Sequence, residues 1–269
     1  MLLLLYVITD LSFACAKLLN NHRNIILRNV SYRLMGEKVY AIFVAGGSGT
    51  RMGNSTPKQF LELAGKPVLL RTLQRFVEAI PNLNIIVVLP ECHFSTWRKI
   101  CIDFDFDYPQ KLVKGGVTRF HSVKNALSSV PDDSVVLIHD GVRPMVSVEL
   151  IRKLTHKAEG GQCVIPVTAI TDTLKCLIPS LNKGEMVESS VSAPNREGLF
   201  GAQTPQVFPS RIVKKAYETA FDTSFTDDAS VLSFNKIPLT YIMGERYNIK
   251  ITTPEDMDFL DKVIKGCEL

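Results

Sequence analysis

Residues 44 to 60 read VAGGSGTRMGNSTPKQF. Gly46, Gly47, Ser48 and Gly49 make a turn in which no bulky side chain blocks the backbone, so successive N–H groups can converge on an anion. Arg51 follows at once, and Lys58 comes seven positions later. Arg51 can fork around phosphate oxygens, and Lys58 brings a mobile point charge. Transfer of a phosphoryl or nucleotidyl group needs such cations where charge accumulates on the reacting phosphate. The pattern is neither the GxxxxGK[ST] P-loop nor GxGxxG with a distal acid. A strand–helix turn with two solvated cations is the plain structural alternative. The Arg and Lys spacing favours phosphate chemistry.

Two further stretches carry candidate chemistry. In HDGVRP (139–144) an acid, Asp140, stands beside Arg143 at the end of an apolar run. Such an acid is a candidate metal or ribose ligand, and equally a helix N-cap. In KLVKGGVTRFHSV the pair Gly115-Gly116 precedes Ser122. Backbone amides and a hydroxyl can read the edge of a pyrimidine; a turn with a serine in the following helix explains the same residues.

The elements that must position these residues are legible as apolar runs. YAIFVA (40–45), NIIVVLP (84–90), SVVLIHD (134–140) and QCVIPV (162–167) read as strands buried on both faces. Helical spacing runs through KPVLLRTLQRFVEAI (66–80), RFHSVKNALSSV (119–130), VELIRKLTHKA (148–158), RIVKKAYETAF (211–221) and TPEDMDFLDKVI (253–264). The last has Thr253 as N-cap and Pro254 at the first helical position. Strands alternating with helices predict an α/β fold, a Rossmann-like and mostly parallel sheet with helices on both faces. The glycine turn then lies at a strand's C-terminal end, where such sheets bind ligands. From about 168 to 204 the periodicity lapses, with a turn around Asn182-Lys183-Gly184. This stretch predicts a β-hairpin arm. Lacking a core of its own, it would pack on a second subunit, making a homodimer.

Composition narrows the classes. The chain has 269 residues, 46% hydrophobic and 22% charged, with a formal net charge of +4. That charge suits a phosphate-collecting site and is too small to argue for nucleic acid. The six cysteines form no CxxC pair, and we expect reduced, mostly buried thiols in a cytoplasmic protein. The apolar start MLLLLYVITDLSFACA lacks a positive n-region, contains Asp10 and is too short to span a bilayer. With Met35-Gly-Glu-Lys directly before the first strand, residues 1–34 read as an extension outside the 35–269 domain, and no membrane association is expected.

The longer string AGGSGTRMGNSTPKQF resembles the 2-C-methyl-D-erythritol 4-phosphate cytidylyltransferase family of the non-mevalonate isoprenoid pathway. The resemblance continues through GGVTRFHSV (115–123), HDGVRP, the DT of ITDT (172–173), NREGLFGAQTPQVF (195–208), TDDAS (226–230) and NIKITTPED (248–256), covering about residues 38 to 265. It implies transfer of CMP from CTP to a polyol phosphate, with Mg²⁺ or another divalent cation as cofactor and pyrophosphate as the second product.

The resemblance also implies roles. Arg51, Lys58 and Lys250 would be catalytic cations. Ala45, Gly46, Gly47, Ser48, Gly49, Gly116 and Ser122 would bind CTP. Asp140 would lie near the metal and between the substrates. Asp140, Arg143, Asp172, Thr173, Arg196, Thr204 and Thr226 would bind the polyol phosphate, Thr173 and Arg196 reaching across the dimer. Many relatives carry an acid after the second glycine, where this chain has Val117. Alternatives remain. A ribitol 5-phosphate cytidylyltransferase shares the loop and the chemistry, though the interval from Arg51 to Lys58, TDDAS and REGLFGAQTPQ lean toward the methylerythritol type. A sugar-1-phosphate nucleotidyltransferase usually has further residues before its Pro-Lys. A non-catalytic nucleotide-binding module would not need the set Arg51, Lys58, Asp140 and Lys250.

Overall fold

The structure is a computed structural model and describes residues 38–47, 56–180, 184–189, 191 and 195–267. Residues 1–34, Ser48, Gly49 and Arg51 lie outside the described residues. The unit that carries the sheet spans Val39–Leu269.

Strands β1 (Lys38–Val44), β4 (Asn84–Leu89), β5 (Gln110–Lys114) and β6 (Ser134–Asp140) form one half of an eight-stranded sheet. Strands β7 (Val164–Ala169), β10 (Phe200–Ala202), β11 (Gln206–Pro209) and β12 (Thr240–Met243) form the other. The order is β10-β7-β11-β6-β1-β4-β5, with β12 paired to β7. Pairs β1·β4, β4·β5 and β7·β12 are parallel. Strand β11 runs antiparallel between β6 and β7, and β10 antiparallel to β7.

The apolar runs are uninterrupted because successive side chains serve different cores. Phe43, Val87 and Leu137 enter one core. Their neighbours Ile42, Ile86, Val88, Val136 and Ile138 enter the other. The first is covered by α1 (Val68–Ala79), α2 (Phe94–Asp103) and α4 (Val148–Glu159), through Leu73, Phe76, Trp97 and Leu154. The second is covered by α3 (Arg119–Leu127), α5 (Ser210–Ala216) and α6 (Asp228–Phe234), through Phe120, Val123, Val213 and Leu232. Phe76 stands edge-on to Phe43 with centroids 4.8 Å apart. Its truncation to alanine would cost about 3–5 kcal/mol.

A third, smaller core matters most for the site. Leu63 of β2 (Glu62–Leu63), which pairs with β3 (Lys66–Pro67), meets Val142, Ile251 and Leu260 of α7 (Pro254–Cys267). Ile251 donates its N–H to Val142 O at 3.0 Å. With Ile249 and Ile251 turned into this core, Lys250 between them faces the opposite way.

Between β7 and β10 the chain leaves the sheet and returns. Strands β8 (Leu177–Pro179) and β9 (Met186–Glu188) make an antiparallel hairpin, a sheet of their own. Leu177, Ile178, Met186 and Val187 are each about half exposed on it. The expectation of mostly buried thiols is corrected. Among the four described cysteine side chains only Cys163 is buried, while Cys92 lies exposed on the turn after β4 and Cys101 and Cys176 are half-buried.

Candidate active site

A cavity of about 390 Å³ opens where β1, β4, β5 and β6 end. Val44 to Gly47, Pro90, Gly115 to Arg119, and Asp140 line it from those four strand ends. The turn 115–116 is built for glycine. A Cβ on Gly116 would stand 2.4 Å from His121 Cβ. Gly116 N–H donates to Ser122 Oγ at 3.0 Å, and that hydroxyl donates to Thr118 O at 2.9 Å. The amide and the hydroxyl proposed to read the base edge therefore hold each other in this state. Gly141 is also closely approached, since its Cβ would lie 2.8 Å from the end of the Leu69 side chain and 3.1 Å from Ala45 Cβ. That close approach seats the end of β6 against β1, with Gly141 N–H on Val44 O at 3.0 Å. Gln59 donates to Ala45 O at 2.7 Å and fixes the entry to the glycine turn. Val117 is 97% exposed at the cavity mouth.

A second cavity of about 220 Å³ is lined by Arg119, Asp140, Arg143, Ala202, Thr204, Gln206, Thr226, Asp227 and Lys250. Arg119, Asp140 and Lys250 line both cavities.

Asp140, 6% exposed, is the centre of this shared wall. Its Oδ2 lies 3.1 Å from both Arg143 Nε and Lys250 Nζ, and its Oδ1 is 3.8 Å from Arg119 Nε. Burial alone would raise its pKa; Arg119, Lys250 and Arg143 more than offset that and hold the carboxyl below the usual range. Its backbone N–H donates to Thr204 Oγ1 at 3.1 Å. Arg143 also donates to Asn248 O at 2.8 Å. Asn248 is fully buried and donates to Thr204 O at 2.8 Å. His139 is sealed behind this wall. Burial pushes its pKa down to about 3, so it is neutral. Nε2–H then donates to Arg143 O at 3.2 Å, and Nδ1 accepts from the Thr204 hydroxyl at 3.0 Å. His139 is thus held as a neutral, hydrogen-bonded residue behind the wall.

Lys58 stands on the single turn Lys58–Phe60, lines the larger cavity and donates to Ile251 O at 2.8 Å. Lys58 and Lys250 are thus both placed by the segment that carries Ile251. Lys250 lies outside any strand and points at Asp140.

The site brings together Ala45, Gly46, Gly47, Lys58, Gly116, Ser122, Asp140 and Lys250 in the first cavity, and Arg143, Thr204 and Thr226 in the second. It does not bring in Asp172, Thr173 or Arg196 from the same chain. All three are exposed on the arm, and Arg196 donates to Thr171 O at 2.7 Å. Arg119, Gln206 and Asp227 line the site and were not singled out from sequence, although GGVTRFHSV, NREGLFGAQTPQVF and TDDAS each contain one of them.

Among the described residues, Asp140 is the carboxylate placed on the wall shared by both cavities, where a divalent ion would meet the phosphates. Among the described residues no group of three or more His, Cys, Asp or Glu side chains gathers as an all-protein cage. Mg²⁺ usually takes one or two carboxylates together with substrate phosphates and water. Asp140, whose Oδ1 stands 3.8 Å from Arg119 Nε, supplies one carboxylate of such a donor set.

The family model for IspD, 2-C-methyl-D-erythritol 4-phosphate cytidylyltransferase, matches residues 39–265. A curated relative of that name from Bacteroides fragilis is 44% identical over 217 residues, covering 81% of this chain and 95% of the relative. Another, from Clostridium perfringens, is 36% identical over 232 residues, covering 85% and 99%. The solved structure of 4-diphosphocytidyl-2C-methyl-D-erythritol synthase from Anaerococcus prevotii superposes with a TM-score of 0.68 at 29% identity, over 85% of this chain and 99% of that one. With that match spanning the sheet, both cavities and the Lys250 segment, this chain belongs to the IspD family of 2-C-methyl-D-erythritol 4-phosphate cytidylyltransferases.

Proposed function

We infer that the chain transfers CMP from CTP to 2-C-methyl-D-erythritol 4-phosphate and releases pyrophosphate, within isoprenoid biosynthesis. Family membership supports the reaction. The observation that carries the site assignment is the shared wall: two cavities meet at Asp140 and Lys250, so groups bound in each can react across it.

CTP occupies the larger cavity, with its base toward Gly116 and Ser122 and its phosphates toward Ala45, Gly46 and Gly47 and the loop residues Ser48, Gly49 and Arg51. The polyol phosphate occupies the smaller cavity against Arg143, Thr204 and Thr226. An oxygen of its phosphate attacks the α-phosphorus, and the bond to the β-phosphate breaks with its electrons leaving on pyrophosphate. A phosphate monoester is already an anionic nucleophile near neutral pH, so the neutral His139 is not needed as a base. Lys58, Lys250 and Arg51 supply positive charge where it accumulates in the transition state. Asp140 would hold a divalent cation such as Mg²⁺ by Oδ1, and that ion would supply further neutralisation of the triphosphate.

The arm completes the polyol-phosphate side in a homodimer. Its half-exposed apolar hairpin has no core of its own, and Asp172, Thr173 and Arg196 stand on it away from their own chain's cavities. This arrangement suits residues offered to a partner. No described helix is long and apolar enough to cross a membrane, and we place the enzyme in the cytoplasm.

Pyrophosphate release with CTP and Mg²⁺, run in parallel with 2-C-methyl-D-erythritol 4-phosphate and D-ribitol 5-phosphate, tests the reading. Turnover with the first alone is expected. Turnover with the second alone would overturn the acceptor and leave the cytidylyl transfer in place.

A further inference from the structure

Arg119 opens α3, directly beyond the Gly116 turn, and lines both cavities. One N–H on each terminal nitrogen is committed to Asp228: Nη1 to Oδ1 at 2.9 Å and Nη2 to Oδ2 at 2.6 Å. Nε lies 3.8 Å from Asp140 Oδ1, beyond hydrogen-bond length. A guanidinium has five N–H donors, so three remain for groups in the cavities.

The holder is built differently from the residue it holds. Asp228 is fully buried and lines neither cavity, while the Arg119 side chain keeps 25% of its surface exposed. The Tyr217 hydroxyl, itself almost fully buried, donates to Asp228 Oδ1 at 2.5 Å. Tyr217 in turn is stacked on Phe120, the next residue of α3, with centroids 4.8 Å apart. The carboxylate is therefore pinned from behind, and its fork fixes the plane of the guanidinium. An arginine present only to neutralise Asp228 would not need to reach two cavities. At the shared wall Arg119, Arg143 and Lys250 gather their N–H donors around Asp140, with the charge of Arg119 balanced by Asp228 behind it. The nearby Asp227 carboxylate is occupied by Ser230 N–H and Gln206 Nε2.

We propose that Arg119 is a further catalytic residue, whose free N–H groups contact the α-phosphate and the attacking phosphate where the two cavities meet, and that Asp228 and Tyr217 are the positioning residues that hold it there. The inference rests on the cytidylyl-transfer reading given above. As the new P–O bond forms and the α–β bridging bond breaks, negative charge gathers on the α-phosphate oxygens, and Arg119 meets it without exchanging a proton. Its contribution is therefore larger in the transition state than with CTP alone.

The test uses the full chain. Wild-type turnover is measured first with both polyol phosphates, and the better acceptor is used afterwards, so a wrong acceptor is not mistaken for a wrong Arg119. No pyrophosphate from either acceptor overturns both readings. The double variant Arg119→Gln/Asp228→Asn removes the buried ion pair as a unit, and thermal unfolding checks its fold. We expect kcat to fall about 100-fold while KM for CTP stays within about 3-fold. Arg119→Lys keeps the charge and loses the fork; its kcat should fall about 10-fold with KM for CTP likewise unmoved. Tyr217→Phe, remote from both substrates, should lower kcat by about 3-fold by loosening the holder. A folded double variant or Arg119→Lys enzyme with kcat within about 3-fold of wild type overturns the proposal, as does a loss carried wholly by KM. If the double variant does not fold, Arg119→Lys decides. If neither folds, Arg119 is a structural residue and the proposal fails.

Discussion

At the ends of β5 and β6, Asp140 is gripped by Arg143 and Lys250 at 3.1 Å, faces Arg119 at 3.8 Å, and has its backbone tied to Thr204. In the arm, Asp172 and Thr173 stand exposed, Arg196 donates to the nearby Thr171 carbonyl, and the hairpin's apolar side chains are about half exposed. The first region is over-determined within one chain. Four segments far apart in sequence converge on it, and each also serves a hydrophobic core. The second has three-residue strands and no core behind them. The difference separates two tasks. On the proposed reading, charge for the transferring phosphate is preorganised within one subunit, whereas the arm's share in reading the acceptor falls to a surface that needs something to pack on.

The sharpest way to break this contrast is to remove a cation from the rigid side. Lys58→Ala should leave the chain folded, because the lysine tops a single turn and its aliphatic stem is only half-buried. Its kcat for pyrophosphate release should drop by about 100- to 1,000-fold. A folded and active variant would remove Lys58 from the chemistry. On the arm, Ile178→Asp places a charge opposite Val187 in the hairpin register. Sedimentation should show dissociation to monomers. KM for the polyol phosphate should rise about 10-fold, with CTP affinity held within about 2-fold. A dimer that survives the substitution would move the interface elsewhere. The smallest effect concerns stability. His139 has a folded pKa of about 3 against about 6.5 unfolded, so the unfolded chain takes the proton first as pH falls. The stability His139 confers is complete above about pH 6.5 and drains as pH falls toward 3, by about 1.4 kcal/mol per pH unit. Denaturant unfolding between pH 7 and 4 should show this slope, and His139→Gln should flatten it. An unchanged slope in the variant would assign acid sensitivity to other groups.

The same contrast governs what the sequence reveals. The four central strands are visible as apolar runs because both faces of the sheet are covered, so no polar alternation interrupts them. Helices α1 and α4 are visible because each presents one apolar stripe. Helix α2 was missed, since only Trp97 among its residues is fully buried. Helix α6, seven residues long, is too short to show a period, though its capping box at Asp227 and Ser230 is a local signal within TDDAS. The antiparallel β10 and β11 were not anticipated. Alternation of strands with helices predicts parallel neighbours, and only the excursion of the arm forces the chain to return in the opposite sense. At the site, Lys58, Asp140 and Lys250 were legible as charged residues in short motifs. Arg119 was not. Its significance lies in its pairing with Asp228, 109 positions away, and in its reach into both cavities, and neither leaves a mark in the local pattern.

The central claim is that cytidylyl transfer takes place across the wall formed by Arg119, Asp140 and Lys250. A crystal structure of the enzyme with its cytidine-diphospho-polyol product bound tests this most directly. The account predicts the cytosine beside Gly116 and Ser122, the polyol beside Arg143 and Thr204, and the pyrophosphate link between them against those three side chains. A product lying wholly within one cavity, with the shared wall untouched, would contradict it.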